Sequence, residues 1–267
     1  MWDIIVHVDE PGPSEARLAV AGTIAGHFDA RLTALFAKSS VNYFDVTACF
    51  PGDYVLSSSH DARALFEREY GDHGRWMELL HGEPNFLLQE IAFCARYSNL
   101  IVLGQPGEGL YMPGTLVERV ILHSGTPVMV VPSHGRFESV GEHIIVGWNA
   151  SRECARAVHD ALPLLRRAAS VTLAVMNSAI RPDGRRSSDD LPAVGVLDHL
   201  AANGVEARLE HLRGEEVGVM DLLLSRSADI GADLLVMGAS THGPFSSFGP
   251  GFRHVLGHMT LPVLFSH

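Results

Sequence analysis

The chain has 267 residues, 46% apolar and 19% charged, the balance of a folded globular protein rather than a disordered one. Its net charge of −11 argues against a general affinity for nucleic acid or anionic membranes, but not against a local phosphate site built from backbone amides. Three cysteines with no CxxC, no signal-peptide pattern at the N-terminus and no apolar run near the ~20 residues of a membrane span point to a cytoplasmic protein with reduced thiols.

In chain order, residues 4–8 read as a buried strand, followed by a polar loop from Asp9 and a helix over 15–27. A second strand spans 31–37, a helix 57–73, a third strand 75–80 and a helix 85–97. The apolar run Leu100-Ile101-Val102-Leu103 is a fourth strand, a helix covers 116–124, and 128–131 form a fifth strand. Residues 133–141 are polar with two glycines and read as a linker. The order then repeats: strand 144–148, helix 152–167 with Ser151 as N-cap, strand 170–176, helix 191–203 and strand 206–211. Helix 217–228, strand 234–237, helix 253–259 and strand 263–265 complete it. The alternation in 206–211 suits an exposed sheet edge.

The repeat is also literal. Ile4-Ile5-Val6 returns as Ile144-Ile145-Val146, and Leu100-Ile101-Val102-Leu103-Gly104 as Leu234-Leu235-Val236-Met237-Gly238. Thr126-Pro127-Val128 returns as Leu261-Pro262-Val263. A period of about 135 residues is a whole domain, so the expectation is two tandem α/β domains, 1–132 and 142–267. Alternating strands and helices with near-continuous apolar strands predict a doubly wound parallel sheet in each. Ligands in such sheets sit at the carboxyl ends of the strands, where strand order reverses. That directs attention to the loops after the first and fourth strands.

At those loops the chain resembles the universal stress protein family in a tandem arrangement, most clearly over residues 144–165 and 233–267. The resemblance implies a Rossmann-like fold of the adenine nucleotide alpha hydrolase type. Family members that bind ATP end the first strand in Asp. After the fourth strand they carry Gly, two residues, Gly, nine residues, then Gly with Ser or Thr. Glycines let backbone amides approach phosphates, and the next helix N-terminus favours anions. The second half keeps this spacing at Gly238, Thr241 and Gly251, with Thr241 in place of the middle glycine, Phe252 in place of the hydroxyl residue and Asn149 in place of Asp. The first half keeps Asp9, Gly104, Gly107 and Gly114-Thr115. Only six residues separate Gly107 from Gly114, however, and Pro106 and Pro113 remove donors.

The ligand site is therefore expected in the second half. Its candidate residues are Asn149, Ala150, Ser151, Met176, Met237, Gly238, Ala239, Ser240, Thr241, His242, Gly249 and Gly251. The implied ligand is ATP, another adenine nucleotide, with or without magnesium, or a related small phosphorylated molecule. Phe245, Phe248 and Phe252 either plug the sheet end or line an apolar ligand. No catalytic set is evident: HExxH, GxSxG and GxxxxGK[ST] are lacking, so any ATP hydrolysis is expected to be slow. His254 and His258 have metal-ligand spacing, but no metal site is predicted. The family's dimers imply that the two fifth strands pair as an internal pseudo-dimer, with a further homodimer or an unidentified protein partner beyond it. A regulatory or protective stress role follows from the resemblance. The competing reading is an interaction scaffold whose phosphate loops have lost their ligand.

Overall fold

The computed structural model describes residues 2–38, 52–71, 74–79, 83–106, 115–178, 191–214, 216–242 and 247–267. The chain divides into two compact units, 1–138 and 139–267. Unit 1 runs β1 (Asp3–Val8), α1 (Pro11–Phe28), β2 (Arg31–Ala37), α2 (Gly52–Tyr70), β3 (Gly74–Leu79), α3 (Pro84–Ala95), β4 (Leu100–Gly104), α4 (Leu116–Ser124) and β5 (Val128–Val131). Its strands lie in the order β3-β2-β1-β4-β5, every pairing parallel. Strand order reverses between β1 and β4, so the sheet is doubly wound.

Unit 2 repeats this with β6 (His143–Trp148), α5 (Arg152–Leu165), β7 (Ser170–Ser178), α6 (Leu191–Ala202), β8 (Ala207–Gly214), α7 (Glu216–Asp229), β9 (Leu234–Gly238), α8 (Pro250–His258) and β12 (Val263–Ser266). The strand order is β12-β9-β6-β7-β8, again all parallel, with the switch between β6 and β9. Strand β8, the alternating segment, takes an outer position in its unit. One departure is an added antiparallel hairpin after β9, formed by β10 (Thr241–His242) and β11 (Ser247–Phe248). No helix among the described residues is long and apolar enough to cross a membrane.

Proline sets two helix starts earlier than apolar spacing alone indicates. Both α1 and α8 begin at a proline, Pro11 and Pro250, where the missing amide costs nothing and the fixed φ suits a helix. Strand ends carry a repeated device. Asn99 accepts a hydrogen bond from the amide of Asp3 (2.9 Å) at the start of β1. Its counterpart Asp233 accepts from Gly141, Glu142 and His143 (3.0, 3.1 and 2.9 Å) at the start of β6. The core of each unit is aliphatic: Ile4, Val6, Ile101 and Val102 in one, and Ile145, Val146, Leu235 and Val236 in the other, are all buried.

Candidate functional site

In unit 1 a buried polar network fills the switch point. Asp9 follows β1 and is ion-paired with Arg17 of α1, whose side chain is 4% exposed. Arg17 also donates to the carbonyl of Pro13 (3.1 Å) and to Ser14 Oγ (3.1 Å). His7 Nε2 donates to the carbonyl of Ala37 (2.9 Å), which leaves Nδ1 to accept from Arg17 (3.0 Å), so the network assigns a neutral imidazole. Burial lowers the His7 pKa, and the Arg17 charge adds to that against the opposing pull of Asp9. Burial alone would raise the Asp9 pKa. The charge of Arg17, with hydrogen bonds from Arg17 and the Glu10 amide, instead holds it far below the usual carboxylate range. Gly104, at the end of β4, faces the Arg17 side chain: a Cβ there would lie 3.4 Å from Cδ. The carboxylate at this strand end is committed to an internal guanidinium. The sequence signal was a charged residue on the buried stripe Ser14, Arg17, Leu18, Ala21 of α1. Gly107 and Gly114 lie outside the described residues.

In unit 2 the switch point is built differently. Asn149 follows β6 and is exposed; its Oδ1 accepts from the Ser151 amide (3.1 Å) and from the Cys154 thiol (3.0 Å). Ala150 is left-handed at φ 58°. A non-glycine residue held there costs of order 1–2 kcal/mol, and such strain concentrates at functional turns. Ser151 caps α5 by accepting from the Cys154 amide (3.2 Å). Burial pushes the Glu153 carboxyl up, but Arg152 (2.5 Å away), its own amide and the nearby His267 outweigh this and hold it ionised beside the α5 N-terminus. The start of α5 is thus served by its own groups.

Helix α8 is the opposite case. Its N-cap is Gly249, which offers no side chain, and its first turn contains no acidic residue. Pro250 has no amide, which leaves those of Gly251 and Phe252 without an acceptor inside the helix. This end faces the loop from β9, where the Gly249 amide donates to the carbonyl of Ser240 (3.3 Å) and Ala239 is tied to β12 through the carbonyl of Ser266 (2.8 Å).

The structure therefore gathers Asn149, Ala150, Ser151, Gly238, Ala239, Ser240 and Gly249 around the carboxyl edge of β6 and β9. Met176 and Met237 are buried on the sheet face covered by α7: Met176 lies against Gly147, the register partner of Met237. Thr241 belongs to the added hairpin and pairs with Phe248, while the side chain of His242 lies outside the described residues. Of the two loop glycines, only Gly238 has a packing reason for being glycine. A Cβ on Gly238 would lie 2.4 Å from the backbone of Glu153 and Cys154, so β9 and α5 touch there. A Cβ on Gly251 would meet only the flexible Met220 side chain, at an ordinary contact distance of 3.4 Å.

Phe252 is 4% exposed, stacks on Phe248 (4.3 Å between centroids) and meets Phe265 edge-on (4.8 Å). Phe248 is itself buried, so these two rings form a plug and not the wall of an open apolar pocket. Phe245 lies outside the described residues, as do Gly243 and the rest of the hairpin tip. Two buried polar groups at the carboxyl ends of β6 and β12, the indole N–H of Trp148 and the hydroxyl of Ser266, have no hydrogen-bond partner among the described residues. His254 pairs with Asp221 (2.6 Å) and stacks on His258, and no cluster of three metal-ligating side chains occurs among the described residues.

The fold can be compared with known structures. A universal stress protein from Archaeoglobus fulgidus DSM 4304 superposes with a TM-score of 0.70 at 16% identity, over 99% of this chain and 97% of that one. The fold is that of the universal stress proteins. A functionally unknown protein from Pseudomonas aeruginosa PAO1 superposes with a TM-score of 0.62 at 15% identity, over 100% of this chain and 92% of that one. No protein-family model matches the chain, and no curated protein does either. The universal stress fold thus recurs here at 15–16% identity.

Proposed function

We propose that unit 2 binds a small phosphorylated ligand, an adenine nucleotide with few phosphates, at the switch point between β6 and β9. One observation carries this reading: the uncapped, acid-free N-terminus of α8 opens onto the same strand ends as the Asn149–Ser151 turn. A phosphate would accept from the amides at the start of α8, where the helix dipole favours an anion. Asn149 and Ser151 would meet a ribose or another hydroxylated portion. Unsatisfied Trp148 and Ser266 nearby add a polar demand that a ligand or water meets.

A triphosphate does not fit the described part of this loop. Thr241 is held in a hairpin, Gly238 faces the backbone of α5, and Pro250 gives no amide. Unit 1 is a poorer candidate still, because Arg17 already neutralises Asp9. The proposed role is regulatory or protective within a cytoplasmic stress response, without rapid chemistry. The Phe248–Phe252–Phe265 plug favours a second reading, a scaffold with no small ligand. Extraction of the purified protein and mass spectrometry of the extract separates the two. A stoichiometric nucleoside monophosphate or diphosphate supports binding, and a ligand-free protein that also fails to take up added nucleotide supports the scaffold.

A further inference from the structure

One residue of α5 ties down both sides of the turn that leads out of β6. The Cys154 amide donates to Ser151 Oγ (3.2 Å), and the Cys154 thiol donates to Asn149 Oδ1 (3.0 Å). Between these two anchors lies Ala150, left-handed at φ 58°. The thiol has a second acceptor in reach, the Gly147 carbonyl at 3.4 Å. It carries a single proton, however, and a proton given to Gly147 would turn a sulfur lone pair toward the Asn149 oxygen at 3.0 Å. The proton therefore belongs between Cys154 and Asn149. Cys154 is buried, so water does not compete for this bond.

Given the nucleotide proposed for unit 2, we infer that Cys154 is a positioning residue that makes Asn149 a hydrogen-bond donor to a ribose oxygen. A side-chain amide has one oxygen with two lone pairs and one NH2 with two donors. The Ser151 amide (3.1 Å) and the Cys154 thiol take both positions on Asn149 Oδ1. A flipped amide would set Nδ2 against the Ser151 N–H, donor against donor, so the network fixes which end is which. What is left is Nδ2, on an exposed residue, with no hydrogen bond among the described residues. The ribose oxygen is therefore met through its lone pair. A carboxylate in the same place would do the reverse and accept the hydroxyl proton. Polarity at this contact is thus set by a residue that never touches the ligand.

The infrared S–H stretching band reports the acceptor of the thiol without any ligand. Cys154→Ala identifies the Cys154 component by removing it. Asn149→Ala moves that component to higher frequency, because the remaining acceptor, the Gly147 carbonyl at 3.4 Å, is farther away. A band that ignores Asn149→Ala overturns the inference. Calorimetric titration with AMP and its 2′- and 3′-deoxy and O-methyl analogues reads the ligand side, since a methyl ether keeps the accepting oxygen and loses the hydroxyl proton. In the wild type, at the contacted position, the deoxy analogue binds about two- to tenfold more weakly than AMP and the methyl ether does not. In Asn149→Asp the methyl ether binds no better than the deoxy analogue. Cys154→Ala weakens AMP by about two- to tenfold, whereas Cys154→Ser, whose hydroxyl still donates to Asn149, restores it. Melting curves check that each variant is folded, and Cys154→Val replaces Cys154→Ala if the latter is not. Methyl ethers that lose as much as the deoxy analogues in the wild type, deoxy analogues that lose nothing, or AMP affinity indifferent to Cys154→Ala overturn the inference. A wild type that binds no nucleotide refutes the nucleotide reading instead, and the S–H band then decides by itself whether Cys154 holds Asn149.

Discussion

Gly238 gives a sharp test of how unit 2 is held together at its site. A methyl group there falls 2.4 Å from the Cys154 nitrogen and the Glu153 carbonyl carbon, backbone atoms at the start of α5 that cannot rotate away. Overpacking of this kind costs about 1–3 kcal/mol, and a backbone obstacle places Gly238→Ala near the top, at about 3 kcal/mol. The lost chain entropy of glycine returns about 0.5 kcal/mol, leaving about 2.5. With an unfolding entropy of about 2.1 cal/mol/K per residue, a unit of roughly 130 residues loses about 9 °C in Tm. The repeat supplies its own control. At Gly104 the same methyl group meets only the flexible Arg17 side chain at 3.4 Å, so Gly104→Ala costs less than about 1 kcal/mol, or under ~4 °C. Calorimetric melting of the wild type and both variants measures the contrast. Equal shifts, or a Gly238→Ala protein as stable as the wild type, refute the close approach of β9 to α5.

Two further outcomes follow from side-chain environments. Phe252→Ser, which would restore a hydroxyl to the loop, removes a buried ring stacked between Phe248 and Phe265 and costs about 3–5 kcal/mol, read as a lowered denaturation midpoint at constant m. Acid sensitivity is set in unit 1. His7 has a lowered pKa in the folded state, so the unfolded chain takes up its proton first, near pH ~6.5, and stability is lost as pH falls through that value. Asp9, also lowered, adds a further loss below the usual carboxylate range near pH ~4. Unfolding free energies from urea titrations at pH 7.5, 6.5 and 5.5 should fall for the wild type by up to about 1.4 kcal/mol per pH unit more than for His7→Gln, and identical slopes would exclude His7 as the source.

The fold was legible because the repeat and the apolar strands are properties of local sequence. Leu100–Gly104 and Leu234–Gly238 end in the same way and occupy the same place in their sheets. Much of the site was less legible, because it depends on what approaches each loop in space. Glycine spacing marks Gly238, but cannot tell a phosphate from the backbone of α5 as the neighbour that needs the room. Likewise Asp9 reads as a free strand-end carboxylate until Arg17, eight residues on, turns inward to meet it. The hairpin at Thr241 was hidden for another reason: each of its strands is two residues long, too short for any periodicity.

The proposed phosphorylated ligand binds unit 2 and not unit 1. Calorimetric titration with AMP and with ATP, using the wild type, Asn149→Ala and Asp9→Asn, tests it most directly. The account predicts that AMP binds at least as tightly as ATP, that Asn149→Ala weakens AMP by about tenfold, the equivalent of 1.4 kcal/mol for one lost polar contact, and that Asp9→Asn leaves affinity unchanged. Tight ATP binding that survives Asn149→Ala, or affinity that falls with Asp9→Asn alone, would contradict it.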